Sequence, residues 1–185
     1  MAQSTVWGSI GTPFKLVLLM WVVFYFEHVL PLANFGIVPR EPIGLIGIFT
    51  APLLHGSLGH LISNTVPLLF LGTVLFFFYP RIGGIVFIRC YLLTNILVWL
   101  FAGQGSNHIG ASGLVYGLAF FLIFFGIFRR DFLSILISGV ILLMYGGIFY
   151  GILPTDPRIS WQSHLSGALV GIFTSVTYSS KKQVD

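Results

Sequence analysis

Charge is scarce in this sequence of 185 residues, of which only 8% are Asp, Glu, Lys or Arg. A soluble domain usually carries about 25% charged residues. Such a low content cannot cover a surface that faces water. The hydrophobic fraction is 56% and the mean hydropathy is +0.97. The scarcity of charge therefore predicts an integral membrane protein with much of its surface in contact with lipid.

Cysteine is nearly absent, because Cys90 is the only one. A single cysteine excludes an internal disulfide and a metal site built from cysteines. The net charge of +4 does not indicate a nucleic-acid partner, since the basic residues occur singly or in pairs at the ends of apolar segments. No polar linker or low-complexity tract interrupts the chain, so we expect one domain over residues 1–185.

Six apolar stretches are long enough to cross a bilayer, which takes roughly 20 helical residues. We therefore predict an all-α membrane protein, a bundle of six transmembrane helices. These predicted spans 1 to 6 are Phe14–Leu32, Leu58–Tyr79, Ile82–Ala102, Ala111–Phe128, Phe132–Leu153 and Gln162–Tyr178. The first stretch is too long for a signal peptide, and we expect it to be retained as a helix.

The basic residues predict the orientation of the spans. With the N-terminus in the cytoplasm, six of them lie inside: Lys15, Arg81, Arg129, Arg130, Lys181 and Lys182. Only Arg40 and Arg158 then lie outside. Cytoplasmic loops normally carry the excess of Lys and Arg, so both termini are predicted to be cytoplasmic. We expect Arg89, within span 3, to extend its charge to the cytoplasmic interface.

This orientation brings polar residues from three spans to one depth. Spans 2, 4 and 6 all run from outside to inside, so their first turns lie near the outer leaflet. These turns hold His55, His60 and Asn64 in or beside span 2, Ser112 in span 4 and His164 in span 6. Polar groups inside a bilayer are costly and usually functional. We therefore predict a functional site in this layer.

Ser112 lies in the first turn of span 4, within the sequence Gly110-Ala111-Ser112-Gly113. Free backbone N–H groups at a helix start can stabilise an oxyanion beside a serine. The alternative is an N-cap serine between packing glycines. A serine hydroxyl is a weak nucleophile that needs a base, and His164 at the start of span 6 is the candidate.

Glycines predict how the serine and the histidine meet. Gly113 and Gly117 are four residues apart in span 4, and Gly167 and Gly171 repeat that spacing below His164 in span 6. Such pairs let two helices approach closely, so we expect the two faces to meet and to place Ser112 beside His164. Helix packing alone is the alternative for each pair. Gly126 lies outside this motif, and we expect it to matter much less.

His60 and Asn64 share one face of span 2 and can donate side-chain hydrogen bonds. Together with the Ser112 backbone N–H they can form an oxyanion hole. The alternative is a polar pair that bridges two helices. His55 precedes the helix, and we assign it a supporting structural role.

No carboxylate is well placed to act with His164. Glu27 lies near the outer end of span 1 and Asp156 in an outer loop, so a Ser–His dyad is favoured over a triad. We expect the Tyr116 ring, one turn below the serine, to pack on His164. His28 and His108 are predicted to be interfacial residues.

Three motifs occur in order on spans 2, 4 and 6: H-x-x-x-x-H-x-x-x-N at 55–64, G-x-S-G at 110–113 and H-x-x-G-x-x-x-G at 164–171. This combination resembles the rhomboid intramembrane proteases in their minimal six-helix bacterial form, over essentially the whole chain. The resemblance implies a Ser112–His164 dyad, oxyanion contacts from His60 and Asn64, and Tyr116 packed on the histidine. It also implies hydrolysis of peptide bonds in or beside transmembrane helices of other proteins, without cofactor or metal.

The expected partners are transmembrane protein substrates and membrane lipids. The expected location is the bacterial plasma membrane, with the active site open to the extracytoplasmic side. One alternative is a catalytically silent rhomboid-like protein that binds membrane helices. Another is a transporter or metalloenzyme that uses His55, His60 and His164, which the lack of a nearby carboxylate and of an HExxH motif disfavours.

The sequence departs from the rhomboid pattern at two places. Many rhomboids have a Trp-Arg pair in the first outer loop, where this chain has Ile46 and Gly47. Many also have a Glu at the end of the second span, where this chain has Tyr79. The first departure leaves open how the loop is anchored, and neither position holds a catalytic group.

Overall fold

The computed structural model describes residues 6–27, 29–156 and 159–180. His28, Arg158, Lys181 and Lys182 lie outside the described residues. Seven α-helices form in the described ranges: α1 Val6–Glu27, α2 Gly44–Thr50, α3 Leu58–Phe78, α4 Pro80–Phe101, α5 Ser112–Arg129, α6 Phe132–Tyr145 and α7 Trp161–Ser179. Three 3₁₀ helices accompany them: Leu32–Phe35, Ala51–Leu53 and Gly146–Ile152. These same ranges contain no β-strand, so the described chain is an all-α bundle.

Five of the helical segments are long and apolar enough to cross a membrane: Gly8–Glu27, Leu58–Phe78, Pro80–Phe101, Ser112–Arg129 and Phe132–Ile152. They correspond to predicted spans 1 to 5. Span 6 also forms a helix, α7, but it is not among the five. The polar residues Gln162, Ser163 and His164 in its first turn lower its hydropathy.

The predicted boundaries of span 1 are wrong, and span 5 changes helix type within its predicted range. Span 1 was placed at 14–32, whereas α1 covers Val6–Glu27 and Leu32 begins a separate 3₁₀ helix. Pro31 has no N–H to donate, so it cannot extend the helix. Within span 5, α6 ends at Tyr145, and Gly146-Gly147 open the 3₁₀ helix. Glycine is a poor helix former, which accounts for this change of helix type.

Helix α5 lies at the centre of the bundle. Twelve of its 18 residues are buried, and Phe121 and Phe125 are completely enclosed. Helices α3, α4, α6 and α7 all pack against it. A helix that is apolar on every side belongs in the core of a bundle. Ser112, its first residue, is therefore held on a helix with neighbours on several sides.

The glycine faces of α5 and α7 meet, as the sequence predicts. A Cβ atom built on Gly167 would collide with the carbonyl oxygen of Gly113, and one built on Gly171 would collide with that of Gly117. The backbones thus touch where side chains would hold them apart. The expectation for Gly126 is wrong. A Cβ there would collide with the carbonyl oxygen of Ser134 on α6, so Gly126 forms a second close contact between helices.

The segment between α1 and α3 is anchored on α4 without a Trp-Arg pair. Three α4 side chains donate to its carbonyl oxygens: Tyr91 to Phe49 at 2.6 Å, Asn95 to Ile48 at 2.9 Å and Trp99 to Glu41 at 3.0 Å. In return, Arg40 donates from Nη1 to the Leu100 carbonyl at 3.0 Å. Gly47 itself lies against the backbone of Gly36, where a side chain would not fit.

Tyr79 connects the end of α3 to two other helices. Its side chain is 1% exposed, and its hydroxyl lies 3.1 Å from the Ser134 hydroxyl on α6. Its ring meets that of Phe125 on α5 edge to face, with 5.0 Å between centroids. A buried tyrosine normally needs a partner for its hydroxyl, and Ser134 provides one.

Candidate active site

Ser112 and His164 lie side by side at one end of the α5–α7 contact. The serine Oγ is 2.9 Å from Nε2 of the histidine, and the His164 side chain is buried. Ser112 is the first residue of α5, and His164 lies in the first turn of α7. Because the glycine faces below them touch, the two helix starts are close enough for this hydrogen bond.

The other ring nitrogen of His164 determines which atom can act as a base. Nδ1 lies 2.9 Å from the carbonyl oxygen of Gly151. A carbonyl oxygen only accepts hydrogen bonds, so Nδ1 carries the proton in the neutral ring. Nε2 then directs its lone pair at the hydroxyl of Ser112. A backbone carbonyl thus orients the imidazole, in the place where a serine-protease triad has an aspartate.

Gly151 was not singled out by sequence reasoning. It lies in the 3₁₀ helix Gly146–Ile152 that follows α6. A Cβ there would collide with the Tyr116 hydroxyl and lie 3.4 Å from Nδ1 of His164. Only a glycine brings its carbonyl this close to the ring without displacing either side chain. The Gly146-Gly147 break in span 5 was the available signal that the backbone departs from an α-helix here.

Tyr116 stacks on His164, as the spacing predicts. The ring centroids are 3.9 Å apart and the planes differ by 8°. Stacking limits rotation of the imidazole out of its plane, and the Gly151 hydrogen bond limits rotation within it. Together they hold Nε2 towards Ser112.

His60 and Asn64 both border Gly110, two residues before the serine. Gly110 has φ +106°, and a Cβ there would lie 2.6 Å from His60 Nε2 and 3.7 Å from Asn64 Nδ2. Asn64 donates one amide hydrogen to the His60 carbonyl at 3.0 Å. A carboxamide carries two hydrogens, so one remains for another acceptor. A glycine is required at 110 by its positive φ and by the approach of His60.

A cavity of about 1000 Å³ joins these groups. Its lining includes all five candidate side chains: His60, Asn64, Ser112, Tyr116 and His164. Further polar groups from the loops around it also line the cavity, among them Ser57, Ser106 and Asn107. The space is large enough to hold a short stretch of extended peptide together with water.

His55 contacts both Glu27 and His60. The backbone N–H of His55 lies 3.2 and 3.1 Å from the two carboxylate oxygens of Glu27. Its ring meets that of His60 edge to face at 5.0 Å. Burial, followed by the proximity of His60, lowers the pKa of His55 to about 4, although a hydrogen bond to Leu53 opposes the shift. His55 is therefore neutral at neutral pH, and Glu27 contacts it rather than His164.

His108 is not an interfacial residue, so that expectation is wrong. Its side chain is 6% exposed and lies among segments that are distant in sequence. In the described residues, no three His, Cys, Asp or Glu side chains cluster in a way that could hold a metal ion. The alternative of a metal site built from His55, His60 and His164 thus has no ligand set there.

Comparison with known proteins identifies the family of this chain. The Rhomboid domain family matches residues 43–181. Uncharacterized proteins of Mycobacterium tuberculosis and Mycobacterium bovis are each 39% identical in an alignment of 164 residues that covers 80% of this chain and 65% of theirs. An uncharacterized protein of Mycobacterium leprae is 34% identical in an alignment of 168 residues that covers 82% of this chain and 63% of that protein. The chain thus spans slightly less than two thirds of the length of these curated relatives. It is a membrane protein of the rhomboid family.

Proposed function

We propose that this chain is an intramembrane serine endopeptidase in which Ser112 is the nucleophile and His164 the general base. The observation that carries the proposal is the 2.9 Å contact between Ser112 Oγ and His164 Nε2. The Gly151 carbonyl supports it, because it keeps the proton on Nδ1 and leaves Nε2 free to accept. Membership of the rhomboid family supports the same chemistry.

The first half of the reaction forms an acyl-enzyme. His164 Nε2 takes the hydroxyl proton of Ser112 as Oγ attacks the carbonyl carbon of the scissile peptide bond. The resulting imidazolium then donates that proton to the leaving amine as the C–N bond breaks. In the second half, Nε2 takes a proton from a water in the cavity, whose oxygen attacks the ester. Return of the proton to Ser112 Oγ releases the carboxylic acid product.

We propose that three donors stabilise the tetrahedral oxyanion. The first backbone hydrogen bond of α5 runs from the Val115 N–H to the Ala111 carbonyl, so the N–H of Ser112 is not used within the helix. The remaining amide hydrogen of Asn64 and a ring N–H of His60 complete the set. Both side chains border Gly110, next to the serine.

The surroundings of the site favour substrates that are themselves membrane segments. Ser112 begins α5, one of the five helical segments that are long and apolar enough to cross a membrane. A regular helix keeps its peptide bonds inside the backbone ladder, so a substrate helix must unwind locally to present one. We propose that α7 crosses the membrane with the other five, that the termini are cytoplasmic, and that the cavity opens to the extracytoplasmic side of a bacterial plasma membrane.

A catalytically silent rhomboid-like protein that binds membrane helices is the competing function. Reaction with a fluorophosphonate distinguishes the two, because this probe forms a stable bond only with an activated serine. We expect the purified chain to be labelled on Ser112 in detergent and Ser112→Ala to remain unlabelled. A folded wild-type chain that resists labelling and cleaves no transmembrane reporter would favour the binding protein.

A further inference from the structure

His108 lies in the segment that leads from α4 into α5, four residues before Ser112. Its backbone pairs with Ile37 in both directions: each N–H donates to the carbonyl of the other residue at 2.9 Å. Asn107 beside it donates to the Ala33 carbonyl at 2.8 Å. These bonds hold the backbone at residue 108 against a distant part of the chain, and so they restrict where the His108 ring can lie.

The His108 ring bridges two serines. Nδ1 lies 2.6 Å from the hydroxyl of Ser160, and Nε2 lies 2.9 Å from the hydroxyl of Ser106. The Ser106 hydroxyl donates its hydrogen to the Gly103 carbonyl at 2.5 Å, so in the neutral ring it accepts from Nε2–H, and Nδ1 accepts from the hydroxyl of Ser160. Burial lowers the pKa of His108, which favours this neutral form.

Ser160 is the residue through which the ring reaches α7. It is the N-cap of that helix, and its hydroxyl accepts from the N–H of Ser163 at 3.4 Å. Its carbonyl oxygen accepts from the backbone N–H of His164 at 3.2 Å. The contact of His108 with Ser160 thus joins the approach to Ser112 directly to the first turn that holds His164.

From this arrangement we propose that His108 is a positioning residue for the dyad, which acts by fastening the segment before Ser112 to the N-cap of the helix that carries His164. The inference rests on the proposed function. Below the dyad, the glycine contact sets the separation of α5 and α7. On the other side of the dyad, the His108–Ser160 hydrogen bond holds the segment that precedes α5 against the start of α7. A displacement of about 1 Å between reacting groups can cost roughly 10²-fold in rate, so both attachments matter.

Amide side chains can separate the two ring contacts. Asn places its terminal group near the position of Nδ1, which faces Ser160, whereas Gln reaches the position of Nε2, which faces Ser106. The experiment measures kcat and KM on a transmembrane reporter, and the rate of fluorophosphonate labelling, for His108→Asn, His108→Gln and Ser160→Ala. We expect His108→Gln to lower kcat and labelling by about 10- to 10²-fold with little change in KM, and His108→Asn to recover most of that loss.

Two controls make the result specific. Ser106→Ala removes the ring contact that does not reach α7, so it should lower kcat and the labelling rate much less than Ser160→Ala does. His108→Gln combined with Ser160→Ala should be no slower than the slower single variant, because both break one attachment. A wild-type chain that neither labels nor cleaves overturns the proposed function. An active wild type with His108→Gln as fast as His108→Asn, or with a change in KM alone, overturns the positioning role.

Discussion

The Gly151 carbonyl oxygen lies 2.9 Å from Nδ1 of His164, while Nε2 of the same ring lies 2.9 Å from the Ser112 hydroxyl. A backbone group therefore performs the orienting role that an acidic side chain has in a Ser–His–Asp triad. A carbonyl cannot be removed by mutation, but its position can be changed through the residue that carries it.

We expect Gly151→Ala to lower kcat by about 10²-fold. The added methyl group would collide with the Tyr116 hydroxyl and crowd His164, and both rings would shift. Gly146→Ala is the matched control, because it lies in the same 3₁₀ helix and a Cβ there meets no atom within 4 Å. Cleavage rates of the two variants in one detergent give the comparison. Equal rates would show that the Gly151 contact is not needed.

Tyr116 should act through its ring rather than its hydroxyl. The ring stacks on His164 at 3.9 Å, so Tyr116→Phe keeps the stack and should retain turnover within a few fold. Tyr116→Leu removes the flat surface and should lower turnover by about 10-fold, since an aromatic contact is worth on the order of 1 kcal/mol. Steady-state kinetics on both variants measure this difference. A Phe variant as slow as the Leu variant would point to the hydroxyl instead.

Gly171→Val should lower both the melting temperature and the cleavage rate. Its side chain would collide with the Gly117 carbonyl and separate α5 from α7. Gly139→Val is the control, because Gly139 lies within α6 and a Cβ there meets nothing within 4 Å. Both substitutions change the intrinsic helix propensity by the same amount, so the comparison isolates the packing contact. If the two variants melt and cleave alike, the glycine contact does not hold the dyad together.

Asn64→Ala should lower kcat with little change in KM. Loss of one oxyanion donor typically costs about 10²–10³ in rate, and the remaining donors reduce that here. Ser63→Ala is the matched control, since Ser63 and Asn64 donate to the same carbonyl of His60, at 2.8 and 3.0 Å. Ser63→Ala removes a hydrogen bond within α3 but leaves the Asn64 amide beside Gly110 in place. Wild-type turnover in Asn64→Ala would place Asn64 among the structural residues.

The bundle and the meeting of Ser112 with His164 could be predicted from sequence, because apolar length and glycine spacing are local patterns that bilayer geometry and close packing turn into contacts. The Gly151 contact could not. Its partner atom is a carbonyl, which every residue has, and its position depends on the 3₁₀ helix that interrupts span 5.

Contacts made by loop residues also could not be predicted from the sequence. Glu27 accepts a hydrogen bond from the backbone N–H of His55. Every residue except proline has such a donor, so no pattern of side chains predicts this contact. His108 is buried where Ile37 and Ser160, both far from it along the chain, form hydrogen bonds with it. Gly126 was misjudged for a similar reason, since its partner Ser134 lies across the turn into α6.

The central claim is that Ser112 and His164 act as one unit. It is tested most directly by the cleavage rate of a transmembrane reporter by wild type, Ser112→Ala, His164→Ala and the double variant, each shown to be folded by its melting curve. The account predicts that each single substitution abolishes cleavage and that the double variant loses no more than the worse single one. Appreciable turnover by purified Ser112→Ala would contradict it.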